Sequence, residues 1–155
     1  MTAELRLRRR AARAILIDSE SRLVLIRRTR PGMPVYWTTP GGGVEPQDGS
    51  VEAALHRELR EEIGATADLA GQVLLTSAVD ERDVWVQHFL LARLTSLDLS
   101  IRDGPEFTDP TRGSYEVEHI DLRTAELTQL DLRPPELKTF ILANREALLL
   151  LLAAS

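Results

Sequence analysis

Residues 51–63 make two demands that few folds meet together. Apolar side chains at Val51, Ala54, Leu55, Leu59 and Ile63 recur at spacings of three and four, which predicts a helix with one buried face. Ser50 suits its N-cap, Glu52 its first turn, and Gly64 its C-terminal stop. On a wheel of 100° per residue, Glu58, Glu61 and Glu62 fall within about 100° of one another. Their sector overlaps the stripe of Val51 and Ala54, whereas Ala53, His56 and Arg60 occupy the opposite side. Three carboxylates therefore lean toward the packed face of their own helix. The like-charge pair Glu58/Glu62 costs a few tenths of a kcal/mol even when exposed, and partial burial raises this to several kcal/mol per ion unless each is paired.

Two arrangements would relieve that cost. In one, the acids are solvated and Arg57 pairs with Glu61 one turn on. In the other, oxygen ligands hold a divalent cation such as Mg2+, which keeps several waters and is readily shared with substrate phosphates. Arg57 would then steady one carboxylate by a charge-assisted hydrogen bond. The run Gly41-Gly42-Gly43 just before the helix favours the second arrangement. Backbone N–H groups at a glycine turn suit phosphate oxygens, and a carbonyl there can reach a metal. A flexible connector would have the same sequence, and no Gly-Lys-Ser/Thr follows to make it a Walker A loop.

The rest of the chain limits the setting. At 155 residues, 43% of them hydrophobic, one domain over residues 1–155 is expected. The absence of cysteine excludes a disulfide framework, a thiolate zinc site and a cysteine nucleophile. A net charge of −5 argues against a general nucleic-acid binder, so no nucleic-acid partner is expected. The basic residues 6–10 precede an apolar run, but Arg13 interrupts that run and Asp18 ends it, so a signal peptide is not expected. The apolar residues 147–154 fall far short of the roughly 20 needed to span a bilayer. A cytoplasmic protein with no membrane partner is expected. Residues 148–152 hold more leucine than one packing face needs, which points to a partner surface.

Short apolar runs at 11–17 and 23–26, joined by polar residues 18–22, read as a hairpin. Residues 29–34 read as a loop, 36–39 as a short strand, and the glycine run as the start of a loop reaching Ser50. Beyond the helix, 73–79 and 84–94 read as strands about the acidic turn 80–83. Residues 100–114 read as an irregular loop and 115–122 as another strand. Pro134-Pro135 opens a second helix to about residue 152, packing through Leu137, Phe140, Ile141, Leu148 and Leu152. The fold class is α/β (α+β by some schemes), with a mixed sheet between helices.

Residues 42–65 resemble the signature of the Nudix hydrolases: Gly, five residues, Glu, seven residues, then Arg-Glu-aliphatic-x-Glu-Glu-x-Gly-aliphatic. Arg57-Glu58-Leu59-Arg60-Glu61-Glu62-Ile63-Gly64 matches position for position, with the small Ala65 closing the motif. The first half departs. Counting from Gly42, the family's first acid falls on Asp48; counting back from Arg57, it falls on Gly49, so one extra residue lies between them. The resemblance implies a Nudix-like mixed sheet sandwiched between helices, carrying a loop-helix-loop catalytic motif.

It also implies hydrolysis of a diphosphate bond in a small nucleoside diphosphate linked to another moiety, with Mg2+ or Mn2+ as cofactor, and, since dimerisation is common in that family, a homodimer. Glu58, Glu61 and Glu62 are implied metal ligands, with the Gly42 carbonyl as an additional one. Arg57 is implied to orient a catalytic glutamate and stands with Glu58 and Glu61 in the catalytic set. A general base outside the motif is sought among Glu106, Glu116, Glu118 and His88, with Glu106 preferred for its place in a loop. Arg27, Arg28 and Arg30 are candidates for phosphate binding, with Gly41 and Gly43 beside them; a solvated basic edge is the alternative. Trp37, Trp85 and Phe89 either stack on a base or fill the core, and core is expected. No proline lies between Pro46 and Pro105, where some subfamilies carry a marker, so no particular substrate is named. A nucleotide sensor without turnover is the alternative function.

Overall fold

The structure is a computed structural model that describes residues 4–101 and 113–155. In chain order it comprises strands β1 (Arg6–Ile17), β2 (Arg22–Thr29), β3 (Tyr36–Thr38) and β4 (Gly41–Gly43), helix α1 (Val51–Ile63), strands β5 (Ala65–Asp80), β6 (Asp83–Leu97) and β7 (Ser114–Asp121), and helix α2 (Pro135–Ala154). Short 3-10 turns lie at Pro46–Asp48, Leu99–Ile101 and Glu126–Gln129.

One mixed sheet organises these elements, in the order β3-β2-β1-β6-β5, with β4 also on β1 and β7 also on β2. The spine is β1, whose second half is largely apolar on both faces because both are covered there. Ala12, Ala14 and Leu16 face one way and pack with Val24, Ile26, Leu90 and Ala92 under Ala54, Leu55, Leu59 and Ile63 of α1. Ile15 and Ile17 face the other way, joining Leu23, Leu25, Phe89 and Leu91 under Leu137, Ile141, Leu148 and Leu152 of α2. The two helices therefore sandwich the sheet, as expected from the sequence. Burying each such leucine or isoleucine contributes about 1.5–3 kcal/mol. Phe140 sits at the edge of the α2 cluster, while Leu150 and Leu151 at the far end are exposed. No helix among the described residues is long and apolar enough to cross a membrane.

Helix α1 forms as its caps predict. Ser50 Oγ accepts from the Ala53 N–H at 3.0 Å, and the Gly64 N–H donates to the Arg60 carbonyl at 3.0 Å. Pro135 begins α2, which breaks at Asn144 (φ −125°, ψ 20°), whose Nδ2 donates to the Phe140 carbonyl at 2.8 Å.

Three elements differ from expectation, each for a reason of pairing. The segments 11–17 and 23–26 are joined by a tight turn closed by Asp18, which accepts from the Glu20 and Arg22 N–H groups at 2.9 Å each. Yet the two strands pair only at Ile17 and Leu23. Beyond that point they diverge: β1 takes β4 as its antiparallel neighbour and β2 takes β3. The glycine run, expected as a loop, thus forms β4. The strand expected at 73–79 begins at Ala65, which pairs immediately with Leu97. Register shifts at 66/67, 69/71 and 72/74 interrupt its alternation, so its first half carries no period-2 pattern to read.

Gly64 does two jobs at the exit of α1. Its φ of 63° ends the helix in a left-handed turn, and a Cβ there would lie 1.8 Å from the Asp98 carbonyl oxygen. Since the Asp98 N–H also donates to the Gly64 carbonyl at 2.9 Å, the two segments are locked together. Gly64→Ala should therefore destabilise the fold by roughly 1–3 kcal/mol in urea denaturation. A loss within experimental error would show that the 98–101 segment can withdraw freely.

Candidate active site

The divergence of β1 and β2 opens a gap in the sheet, and the acidic face of α1 closes it from one side. The resulting cavity, of about 460 Å3, is lined by Glu58, Glu61 and Glu62 of α1, Gly41, Gly42 and Gly43 of β4, and Glu45. Arg9 and Arg13 of β1, Arg28 of β2, Tyr36 and Thr38 of β3, and Tyr115 of β7 complete the lining.

Arg57 organises the acids. Its Nε donates to Asp48 Oδ1 at 2.7 Å and its Nη2 to Asp48 Oδ2 at 2.8 Å, a two-point fork. Nη2 also reaches the Gly43 carbonyl at 2.9 Å. Nη1 donates to Glu58 Oε1 at 2.9 Å and to Glu61 Oε2 at 3.2 Å, so both carboxylates turn toward a single donor. The bonds to Asp48 are the main reason the Arg57 guanidinium is held above its usual pKa, against the burial that opposes it. In return, Arg57 and the Glu45 N–H hold the Asp48 carboxyl down at about 2.

Asp48 thus acquires a place that counting along the chain could not give it. It closes the Pro46–Asp48 turn, where its Oδ2 accepts from the Glu45 N–H at 2.7 Å. The extra residue, Gly49, is absorbed in a left-handed turn before the helix cap. The displaced acid still reaches the arginine.

Glu62 is the most buried of the three, at 9% exposed, and accepts from the Gly41 N–H at 3.0 Å. On the other side of β4, Arg13 Nη1 donates to the Thr39 carbonyl at 3.1 Å and reaches toward that of Gly41 at 3.5 Å. Its Nε donates to Gln87 Oε1 at 3.2 Å. Burial pushes the Arg13 guanidinium below its usual pKa, and Glu62 opposes that shift. Arg28 stacks over the Tyr115 ring at 3.6 Å, and Arg133 over the Tyr36 ring at 4.3 Å.

The donor set suits a hard divalent cation, because every side-chain donor is a carboxylate and the neighbouring backbone offers carbonyls. Gly42 adds a steric sign. A Cβ at that residue would lie 2.4 Å from Glu58 Oε2, so the glycine makes room for the carboxylate against its own backbone. Among the described residues no three acidic or imidazole groups form a closed cage. Glu58 and Glu61 are instead turned toward Arg57, and Glu62 toward Gly41.

The structure therefore brings together Arg57, Glu58, Glu61, Glu62, Gly41, Gly42, Gly43 and Arg28. Arg30 lies exposed beyond the end of β2 and is not among the cavity's lining residues. Glu106 lies outside the described residues. The other candidate bases are engaged elsewhere: Glu116 pairs with Arg27 at 3.5 Å, and Glu118 accepts from Trp37 Nε1 at 2.7 Å. His88 bonds Gln72 through Nδ1 at 2.8 Å, and burial, with Arg10 adding to it, lowers its pKa. Phe89 is fully buried, Trp37 packs partly buried against the α2 cluster, and Trp85 is 38% exposed.

Sequence reasoning missed Arg9, Arg13, Tyr36 and Tyr115. One signal was present: Arg13 is a charged residue inside an apolar strand.

Comparison with known proteins follows this geometry. The family model described as NUDIX domain matches residues 7–137. A curated RNA pyrophosphohydrolase of Erythrobacter litoralis is 33% identical to this chain, across 47% of this chain and 56% of the relative. The chain thus spans about half the length of the curated relative it matches. Among solved structures, a NUDIX hydrolase from Nitrosomonas europaea superposes with a TM-score of 0.66 at 16% identity, covering 90% of this chain and 88% of that one. The ORF135 protein of E. coli superposes with a TM-score of 0.65 at 22% identity, covering 92% and 94%. These similarities establish the fold, a mixed curled sheet with two helices in the α/β class.

The Asp48–Arg57 fork sets an acid response. A carboxyl held near 2 when folded and at 3.8 when free adds stability that is complete above pH 3.8 and fades as the pH falls toward 2. Asp48→Asn should therefore be less stable than the wild type at neutral pH, and the gap should close over that window in urea titrations. A gap independent of pH would show that Asp48 acts by shape alone.

Proposed function

Since the chain belongs to the Nudix domain family, we propose that it is a metal-dependent pyrophosphohydrolase acting on a small diphosphate, in which a nucleoside diphosphate is linked to another group. One observation carries this reading: a single arginine turns Glu58 and Glu61 to the same point of a cavity that Arg9, Arg13 and Arg28 also line. Carboxylates and guanidinium groups lining one cavity suit a cation and a polyanion bound side by side.

Glu58, Glu61, Glu62 and the Gly42 carbonyl would hold the cation, Mg2+ or Mn2+. When bound, such an ion neutralises diphosphate charge and lowers the pKa of a coordinated water. The chain supplies the remainder. Arg28 and the backbone of Gly41 and Gly43 border the space for the phosphates. Arg57 fixes the rotamers of Glu58 and Glu61, so little reorganisation is needed as charge develops. Glu61, at 33% side-chain exposure the most open carboxylate on Arg57, would take a proton from the attacking water. Water adds at phosphorus, the bridging P–O bond breaks, and two phosphorylated products leave.

The similarity to an RNA pyrophosphohydrolase puts 5′-triphosphorylated RNA in the substrate panel beside small nucleotides, although the net charge of −5 favours the small ones. Residues 1–155 are read as one domain. Beyond residue 137, α2 packs on the same sheet through Ile141, Leu148 and Leu152, which supports this.

Turnover should require a divalent cation and stop when EDTA removes it. Glu61→Gln should lower kcat by roughly 100-fold or more, the scale of a lost acid–base group, with its melting temperature little changed. Binding without cleavage of any panel member, with any cation, would favour the sensor reading. Unchanged turnover in Glu61→Gln would remove this residue from the mechanism.

A further inference from the structure

Arg13 is not fully accounted for by the acid-lined cavity. It sits in β1 among Ala11, Ala12, Ala14 and Ile15, all at most 5% exposed, where a cation is costly unless an anion answers it. Its hydrogen-bond partners are all neutral, Gln87 Oε1 and the carbonyls of Thr39 and Gly41, and Glu62 and Glu58 answer its charge only through space. It forms no ion pair among the described residues. Those bonds use Nε and Nη1 and leave Nη2 uncommitted.

Arg13 also lines two further chambers on the α2 side of the sheet, of about 430 and 420 Å3. Both share Arg13, Gln87, Pro134 and Pro135, so they meet at this residue. The first also holds Thr39, whose side chain is 1% exposed and whose buried Oγ1 has no hydrogen-bond partner. A buried hydroxyl without a partner is costly unless something supplies one. The second holds Arg9, on the same strand face as Arg13, and the exposed Trp85, which offers an apolar wall. Arg9, like Arg13, makes no ion pair among the described residues. Arg13 thus lines the acid-lined cavity and both chambers, and the unanswered Thr39 hydroxyl lies buried in the wall of the first.

We propose that the substrate carries a second anionic group, separate from the scissile diphosphate, and that Arg13 and the Thr39 hydroxyl receive it while its ring lies along Trp85. The favoured class is a diphosphate whose nucleoside or sugar bears an additional phosphate. This inference rests on the pyrophosphohydrolase reading for its site, and it concerns which substrate that site selects.

Matched pairs test it with the full chain and Mg2+: adenosine 3′-phosphate 5′-diphosphate against ADP, and NADP+ against NAD+. The member with the extra phosphate should show a KM lower by roughly tenfold or more, the scale of one charge-assisted contact. Arg13→Gln and Thr39→Val should each shrink the ratio within a pair, and Arg13→Lys should restore part of it. Equal kcat/KM within both pairs in the wild type would overturn the proposal. So would an Arg13→Gln effect that falls equally on both members, the mark of a structural role.

A binding measurement separates this from the hydrolase reading. Adenosine 3′,5′-bisphosphate should raise the wild-type melting temperature more than AMP does, and Arg13→Gln should lose that excess. If nothing is cleaved yet this excess appears, the anion site stands and the hydrolase reading fails. If substrates are cleaved but no excess appears, the hydrolase reading stands and this proposal fails.

Discussion

The guanidinium of Arg57 binds Asp48, Glu58 and Glu61 together with the Gly43 carbonyl, and the geometry of the acidic site depends on it. Three acids and a carbonyl drawn together without a cation would repel each other and splay into solvent. With Arg57 at the centre, the helix presents Glu58 and Glu61 at fixed angles and is tied to both the Pro46–Asp48 turn and β4. The arginine therefore joins three successive elements of the chain. It has no close equivalent in lysine, whose ammonium is a point charge without the two-point fork that Asp48 engages.

The second constraint is the split in the sheet. If β1 and β2 paired along their whole length, the core would close and no cavity would exist. They part after Ile17 and Leu23, and the glycine strand fills the space beside β1. Gly42 makes that possible at closest range, since any side chain there would collide with the Glu58 carboxylate. Fold and site are thus one problem: the same glycines let β4 approach the helix and leave backbone groups facing the cavity.

How much of this the sequence discloses depends on whether the cause is local. Helix α1 is legible to the residue because its apolar period and both caps lie within it. The inward lean of Glu58, Glu61 and Glu62 follows from the wheel alone. Strand β5 is legible only in its second half, because bulges in the first half break the alternation that marks a strand. The hairpin reading of β1 and β2 is right about the turn and wrong about the pairing, which β4 and β3 decide. Asp48 is ambiguous by counting because the insertion at Gly49 is absorbed in three dimensions. The arginines are the least legible part. Arg28 is read from the sequence as a phosphate-binding candidate, but Arg9 and Arg13 come from another strand whose approach to it no local pattern encodes, although an arginine at residue 13 within an apolar run was a sign.

If Arg57 preorganises the carboxylates proposed to receive a divalent cation, its loss should weaken cation binding without unfolding the chain. The most direct test is calorimetric titration of Mn2+ into the wild type and Arg57→Gln, with circular dichroism confirming that both are folded. The account predicts binding weakened by roughly tenfold or more in the folded variant, as when an orienting partner of a metal ligand is lost. Equal affinity in the two proteins would contradict it, and Arg57 would then be a structural tie between the turn and the helix and nothing more.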